Sequence, residues 1–432
     1  MDLISLSLIT GGVILAKEGS SYLLNRLNIT AYRWNKTMTN LKLNFKIIKN
    51  KQIKNGVELT VKSPAGKSYK DLEKHIDSLE SSLRGIVTIE DIRFTDLIKI
   101  EVINKELKNY DFIPVKSPNN LIFIGKNFSE KNFFIDIEKD PHILIGGMTG
   151  TGKTFLLSSI LTNLIYNNSN TIDLYISQII KGEIGQFSNC KPVKFVGNTL
   201  EEVSIMLEKI AKKVDERCRK FNSQGYKNLS HYNKNNKNKL KRIYFVIEEI
   251  SFFIAKESDN EEIKQLKNKC WTNILTIVKA GRAAGVHFLS VTQRSTVANI
   301  DSEVKSQMCC ITLRQRSKRD SENIIEDSGA VKLKERECLI FGSQGLDMVK
   351  VPSMDENYEI LQKYVKEIIV PNKPHKPQQK IKKLEVAEVK FTHTPINLDK
   401  DKIIFLEAAT EKETKNEIKE NKKSERKGRV KC

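Results

Sequence analysis

The residues with the most definite chemistry lie in His142-Ile-Leu-Ile-Gly-Gly-Met-Thr-Gly-Thr-Gly-Lys-Thr154. Gly147, Met148, Thr149, Gly150, Thr151, Gly152, Lys153 and Thr154 fit G-x-x-x-x-G-K-[ST], a phosphate-binding loop when it joins a strand to a helix. The flanks meet that condition. His142 to Ile145 is an apolar run of strand length, and Phe155-Leu156-Leu157 opens a helix-like pattern. Glycines let backbone N–H groups converge on phosphate oxygens at the positive end of a helix. Lys153 is expected to reach the β- and γ-phosphates of ATP, and the Thr154 hydroxyl to ligate Mg²⁺.

Two further strand ends carry matching chemistry. Ile243-Tyr-Phe-Val-Ile-Glu-Glu-Ile250 is apolar until its two acids. In phosphate-loop ATPases such a strand end holds one acid towards the metal and another towards the attacking water. On that pattern Glu248 is assigned to Mg²⁺ and Glu249 to the general-base role. Phe288-Leu-Ser-Val-Thr-Gln-Arg294 is a second buried run that ends polar. Ligands of open α/β sheets sit at the carboxyl ends of the strands, so Gln293 is placed to sense the γ-phosphate or to orient water.

The elements that must position these groups alternate. A strand pair at Leu121 to Ile124 and Phe133 to Ile137 leads to the loop, and a helix from Phe155 to Tyr166 follows it. A strand at Ile172 to Ile176 and a long helix from Leu200 to about Asn222 come next. Such alternation predicts a mostly parallel α/β sheet covered on both faces. Upstream, Gly56 to Lys62 alternates as a strand, Tyr69 to Leu83 has helical spacing, and Ile86 to Phe94 and Leu97 to Ile103 are strand-like. The expected organisation is a hydrophobic segment and basic linker (1–52), a small α+β domain (53–115), an ATPase domain (116–353) and a C-terminal extension (354–432). That extension reads as a helix at Asp355 to Ile369, a proline-containing linker, and a charged tail from Thr410 to Lys431 expected to be disordered.

A net charge of +20 points to a polyanionic partner, nucleic acid or an acidic membrane surface. The seven cysteines show neither C-x-x-C nor zinc-ligand spacing, which excludes a disulfide or zinc scaffold and implies reduced, intracellular thiols. Leu3 to Ala16 is apolar but short of the roughly 20 residues that span a bilayer. Two readings stay open for it, an anchor at the inner face of the cell membrane and a buried or interfacial segment of a cytoplasmic protein.

Several segments, in order, resemble the motor of the FtsK/SpoIIIE DNA translocases. They are Pro141 to Thr154; Glu216-Arg-Cys-Arg-Lys-Phe221 with Tyr226-Lys-Asn-Leu-Ser-His-Tyr-Asn233; and Lys279-Ala-Gly-Arg-Ala-Ala-Gly-Val-His-Phe-Leu-Ser-Val-Thr-Gln-Arg294. Ser317-Lys-Arg-Asp-Ser321 and Ile324-Ile-Glu-Asp-Ser-Gly-Ala330 complete the set. The resemblance runs from about Gly56 to Val351. It implies a RecA-like fold, a homo-hexameric ring and ATP-driven translocation of double-stranded DNA. Arg282 matches the arginine that in this family reaches a neighbouring subunit's nucleotide, where a guanidinium stabilises charge on the transferred phosphoryl group. The compact arrangement is most similar to FtsK-type coupling proteins of conjugative elements, which implies a membrane-associated DNA-transfer or division complex as partner.

Departures from the family pattern are Glu248 where Asp is usual, Ser295 where Pro is usual, and Glu322 and Cys310 at positions often occupied by Arg. No winged-helix pattern follows the motor, so reading of oriented chromosomal sequences is not expected. Candidate contacts to DNA phosphates are the Lys234 to Arg242 segment and Arg314 with Arg316. Two other functions fit the same motifs, an ATPase driving protein secretion and a nucleotide-gated DNA-binding scaffold with little turnover.

Overall fold

Period-two alternation builds a four-stranded antiparallel sheet from β1 (Lys46–Ile53), β2 (Gly56–Lys62), β3 (Ile86–Asp91) and β4 (Leu97–Ile103), in the order β1-β2-β4-β3. The structure is a computed structural model that describes residues 29–180, 184–293 and 302–371. Val57, Leu59 and Val61 of β2 and Ile98, Ile100 and Val102 of β4 share one buried face. That face is covered by α1 (residues 29–41), α2 (Tyr69–Glu73) and α3 (Ile76–Leu83). In α1, Trp34 and Met38 lie one turn apart in this core, and Trp34 Nε1 donates to the Phe45 carbonyl at 2.9 Å.

The region expected as a basic linker is therefore folded from residue 29 onward. Its strand was masked by Lys46, Lys49, Asn50 and Lys51, which are exposed because β1 is an edge strand. Lysine is common on such edges because it discourages pairing with other chains. The single helix read from Tyr69 to Leu83 is two short ones, broken at Lys74-His75.

The second sheet contains β5 (Leu121–Asn127), β6 (Asn132–Asp136), β7 (His142–Gly146), β8 (Ile172–Ser177) and β9 (Val193–Gly197). It continues with β10 (Arg242–Ile247), β11 (Val286–Val291), β12 (Met308–Thr312), β13 (Glu337–Gly342) and β14 (Gly345–Lys350). Their order is β6-β5-β14-β13-β12-β7-β11-β10-β8-β9. All neighbours from β12 to β9 are parallel, and β13, β14, β5 and β6 extend the sheet antiparallel.

The helices of this part are α4 (Lys153–Asn168), α5 (Leu200–Ser223), α6 (Leu229–Asn235), α7 (Glu261–Ala284), α8 (Ser302–Lys305), α9 (Lys318–Ile325) and α10 (Glu359–Tyr364). Alternate strand residues feed two apolar layers. Ile143, Ile145, Val246 and Leu289 pack with α4 and α10, whereas Leu144, Phe245 and Phe288 pack with α5, α7 and α9. The predicted parallel sheet covered on both faces is present. Side-chain caps set the starts of the long helices, with Thr199 accepting the Glu202 N–H at 3.3 Å and Asn260 accepting the Ile263 N–H at 2.8 Å.

The C-terminal helix is shorter than the Asp355 to Ile369 expectation. The Asp355 carboxylate caps α10 by accepting the Glu359 and Ile360 N–H groups at 2.7 and 2.8 Å, so the helix begins only after a turn. The apolar segment 3–16 and the charged tail 410–431 lie outside the described residues, as do Arg294 and Ser295.

Candidate nucleotide site

Parallel pairing brings the last residues of β7, β10 and β11 to one edge of the sheet, where the three motifs meet. After β7 the chain passes through Gly147 (φ 148°), Gly150 (φ 81°) and Gly152 (φ 97°), values that residues with a Cβ rarely adopt. Gly152 caps α4, so the first turn of the helix, with the positive end of its dipole, opens onto the loop. Lys153 is buried, and its Nζ donates to the Gly147 and Met148 carbonyls at 2.7 and 2.9 Å. The neighbouring strand braces the loop. Met148 N–H donates to the Arg314 carbonyl at 3.1 Å, and Leu313 N–H to that of Gly146 at 3.0 Å.

The two acids diverge, as successive residues of extended chain must. Glu248 is buried, accepts the Ile184 N–H at 2.8 Å, and lines a cavity of about 20 Å³ with Lys153, Thr154 and Gln293. Glu249 turns towards β11. Its Oε1 accepts the hydroxyls of Ser251 at 2.6 Å and Thr292 at 3.1 Å, and its Oε2 accepts the Gln293 N–H at 2.9 Å. Bonds to a carboxylate are short and strong, so this side chain is held in one orientation. The Gln293 side chain faces the loop, where its Oε1 lies 3.5 Å from Thr149 Oγ1.

Mg²⁺ takes oxygen ligands, keeps several waters and needs one or two protein groups besides the phosphates. A Thr154 hydroxyl and a Glu248 carboxylate on one small cavity fit that requirement. Among the described residues no cluster of three or more His, Cys, Asp or Glu forms a metal cage.

A wider cavity of about 360 Å³ opens above the loop, lined by Thr149, Gly150, Lys153, Thr154 and Phe155 and also by Glu356 and Tyr358. The last two were not foreseen. Residues 355–358 carry no motif, and their return over α4 depends on contacts remote in sequence.

Arg282 lies elsewhere. It is exposed in the last turn of α7, and its Nε donates to the Glu138 carbonyl at 2.7 Å, beside the start of β7. At about 3.3 Å per strand residue, the sheet separates it from its own phosphate loop by roughly 15–20 Å. Gly281 before it is required by packing, since a Cβ there would lie 2.4 Å from the Val286 carbonyl oxygen.

One candidate contact to DNA is corrected. Arg242 is buried, donating from Nη1 to His287 Nε2 at 2.8 Å and from Nη2 to Glu138 Oε1 at 3.0 Å, so it faces no external ligand. Lys234, Lys237, Lys239, Arg314 and Arg316 are exposed. The lysines precede β10 and the arginines follow β12, at opposite edges of the parallel sheet.

Two buried imidazoles tie the strand starts together. His142 Nδ1 accepts the Phe288 N–H at 3.0 Å while Nε2 faces the Val278 carbonyl at 3.1 Å, a pairing that suits the neutral ring. Burial pushes its pKa down to about 4. His287 faces the Pro141 carbonyl at 2.7 Å, and burial and the Arg242 charge hold its pKa well below the usual value.

A phosphate loop after a central parallel strand, acids two strands away, and a polar strand end between them define a RecA-like P-loop NTPase fold with a nucleotide site. Residues 113–270 match the model of the FtsK/SpoIIIE family. The chain is similar to DNA translocase FtsK of Helicobacter pylori (strain J99), at 23% identity over 62% of this chain and 33% of the relative. It is also similar to DNA translocase SpoIIIE of Bacillus subtilis (strain 168), at 24% identity over 60% of this chain and 34% of the relative. The chain thus spans about a third of the length of these curated relatives. Among solved structures, the pCW3 conjugation coupling protein TcpA, a monomer form with ATPγS, superposes with a TM-score of 0.57. That match has 20% identity and covers 78% of this chain and 98% of the other, a likeness of fold.

The six described cysteines are free. No helix among the described residues is long and apolar enough to cross a membrane.

Proposed function

We propose that this chain is an ATP-hydrolysing motor that moves double-stranded DNA, working as a ring of identical copies in DNA transfer or segregation. The observation that carries this reading is the convergence of the phosphate loop, Glu248, Glu249 and Gln293 at one sheet edge. The relatives named as DNA translocases support DNA as the cargo, and so does the net charge of +20.

In this mechanism the triphosphate lies against the first turn of α4, and Lys153 turns from its carbonyl partners to the β- and γ-oxygens. Thr154 and Glu248 would hold Mg²⁺, which would supply charge neutralisation at those oxygens. Glu249 accepts the proton of the attacking water and Gln293 orients that water. Arg282 serves the nucleotide of the adjacent copy, because the sheet lies between it and its own. Hydrolysis then depends on contact between copies, which couples chemistry to motion around the ring. Exposed lysines and arginines hold DNA phosphates without reading bases.

The test is displacement of a third strand from a linear duplex by the full chain with ATP. A DNA motor strips the third strand in proportion to ATP turnover. Turnover without displacement would argue for another cargo, and neither would argue for a scaffold.

A further inference from the structure

Resting on the nucleotide-site reading, we propose that Tyr358 is the platform for the nucleobase. The cavity over the phosphate loop has two kinds of wall. Glycines, Lys153 and Thr154 provide the phosphate end. Phe155 and Tyr358 provide aromatic surface, which no phosphate requires and a purine does.

Tyr358 is held there at a cost. It adopts φ 60°, in the left-handed region that aromatic residues avoid, and such strain persists only where the surroundings impose it. The surroundings here are specific. Asp355 bonds the Glu359 and Ile360 N–H groups, fixing the turn on which Tyr358 sits. Leu361, Val365 and Ile368 enter the core beneath α4, and Tyr364 packs edge-on against Tyr166 and Phe112 at 6.1 and 6.0 Å. Ile369 N–H donates to the Gln186 carbonyl at 2.9 Å, and the Gln186 side chain bonds Ser158 of α4 at 3.3 Å. The segment is thus clamped to the helix that begins at the phosphate loop. The ring is thereby held in the wall of the cavity over the phosphate loop, as a base platform must be.

The test uses the full chain and three readouts. ATPγS and inorganic tripolyphosphate are titrated against wild type, Tyr358→Leu and Tyr358→Phe. The expected result for Tyr358→Leu is about tenfold weaker ATPγS binding with unchanged tripolyphosphate binding, the loss expected for one aromatic–base stack. Tyr358→Phe is expected to bind both as wild type does. Equal ATPγS binding by Tyr358→Leu, or equal losses for both ligands, would overturn the proposal. Independently of any variant, 8-azido-ATP photolabelling of the wild type is expected to mark the tryptic peptide 351–363. Labelling confined to other peptides would contradict it. A wild type that binds neither ATPγS nor tripolyphosphate would instead defeat the nucleotide-site reading and the platform with it.

Discussion

The backbone N–H of Gln293 donates to Glu249 Oε2 at 2.9 Å, joining the end of β11 to the end of β10. Because the Gln293 side chain also faces Thr149, one residue lies between the acid and the phosphate loop. On the proposed function, a γ-phosphate that drew Gln293 towards the loop would also act on the carboxylate next to it.

Replacing that acid separates binding from chemistry. Glu249→Gln is expected to lower ATP turnover by a factor of about 10²–10⁴, the contribution of a general base, while ATPγS binding changes only a few-fold. Steady-state phosphate release and calorimetric titration give the two values. Turnover near wild type would remove Glu249 from the base role.

If Arg282 acts on a nucleotide, its place at the far edge of the sheet makes that nucleotide a neighbour's. Arg282→Ala is expected to reduce turnover by about 10³, as loss of an arginine finger does. Mixing Arg282→Ala with Glu249→Gln chains is expected to restore part of the activity, since some interfaces then pair an intact base with an intact arginine. If every mixture has only the summed activity of its components, Arg282 does not work in trans.

The two buried histidines predict an acid limb of stability. His142 has a folded pKa of about 4 against an ordinary value of 6.5, so the unfolded chain binds the proton more readily. Its contribution is complete above pH 6.5 and is lost as pH falls towards 4, amounting to about 2 kcal/mol at pH 5. His287 acts in the same direction. Urea unfolding at pH 7 and pH 5 measures the loss, and His142→Gln is expected to flatten part of it. A midpoint that does not move between these pH values would contradict the neutral pairing.

The exposed basic groups are separable by salt. If Arg314 and Arg316 each neutralise one DNA phosphate, their double Ala variant lowers the slope of log K against log salt by about two on duplex DNA. Fluorescence anisotropy across a salt series reads this directly, and the Lys234, Lys237 and Lys239 triple variant is the comparison from the opposite edge of the sheet. An unchanged slope in both variants would place the DNA path elsewhere.

Much of the nucleotide-site domain was legible because its signals are local. The phosphate loop needs particular residue types at fixed spacing, and the strands ending at Glu248 and Gln293 are almost entirely apolar. The sheet's antiparallel extension was harder to see. Strands β13 and β14 gain meaning only by pairing with β12 and β5, far apart in sequence. The fold of residues 29–52 was hidden by lysines on an edge strand, and Arg242 read as a surface cation because its partners Glu138 and His287 are 104 and 45 residues away. Tyr358 was invisible for the same reason.

The most direct measurement is ATP hydrolysis by the full chain at low salt, with and without linear duplex DNA, beside Lys153→Ala. The account predicts turnover that DNA raises severalfold and that Lys153→Ala abolishes under both conditions. Turnover indifferent to DNA, or surviving loss of Lys153, would contradict a DNA-driven motor built on this loop.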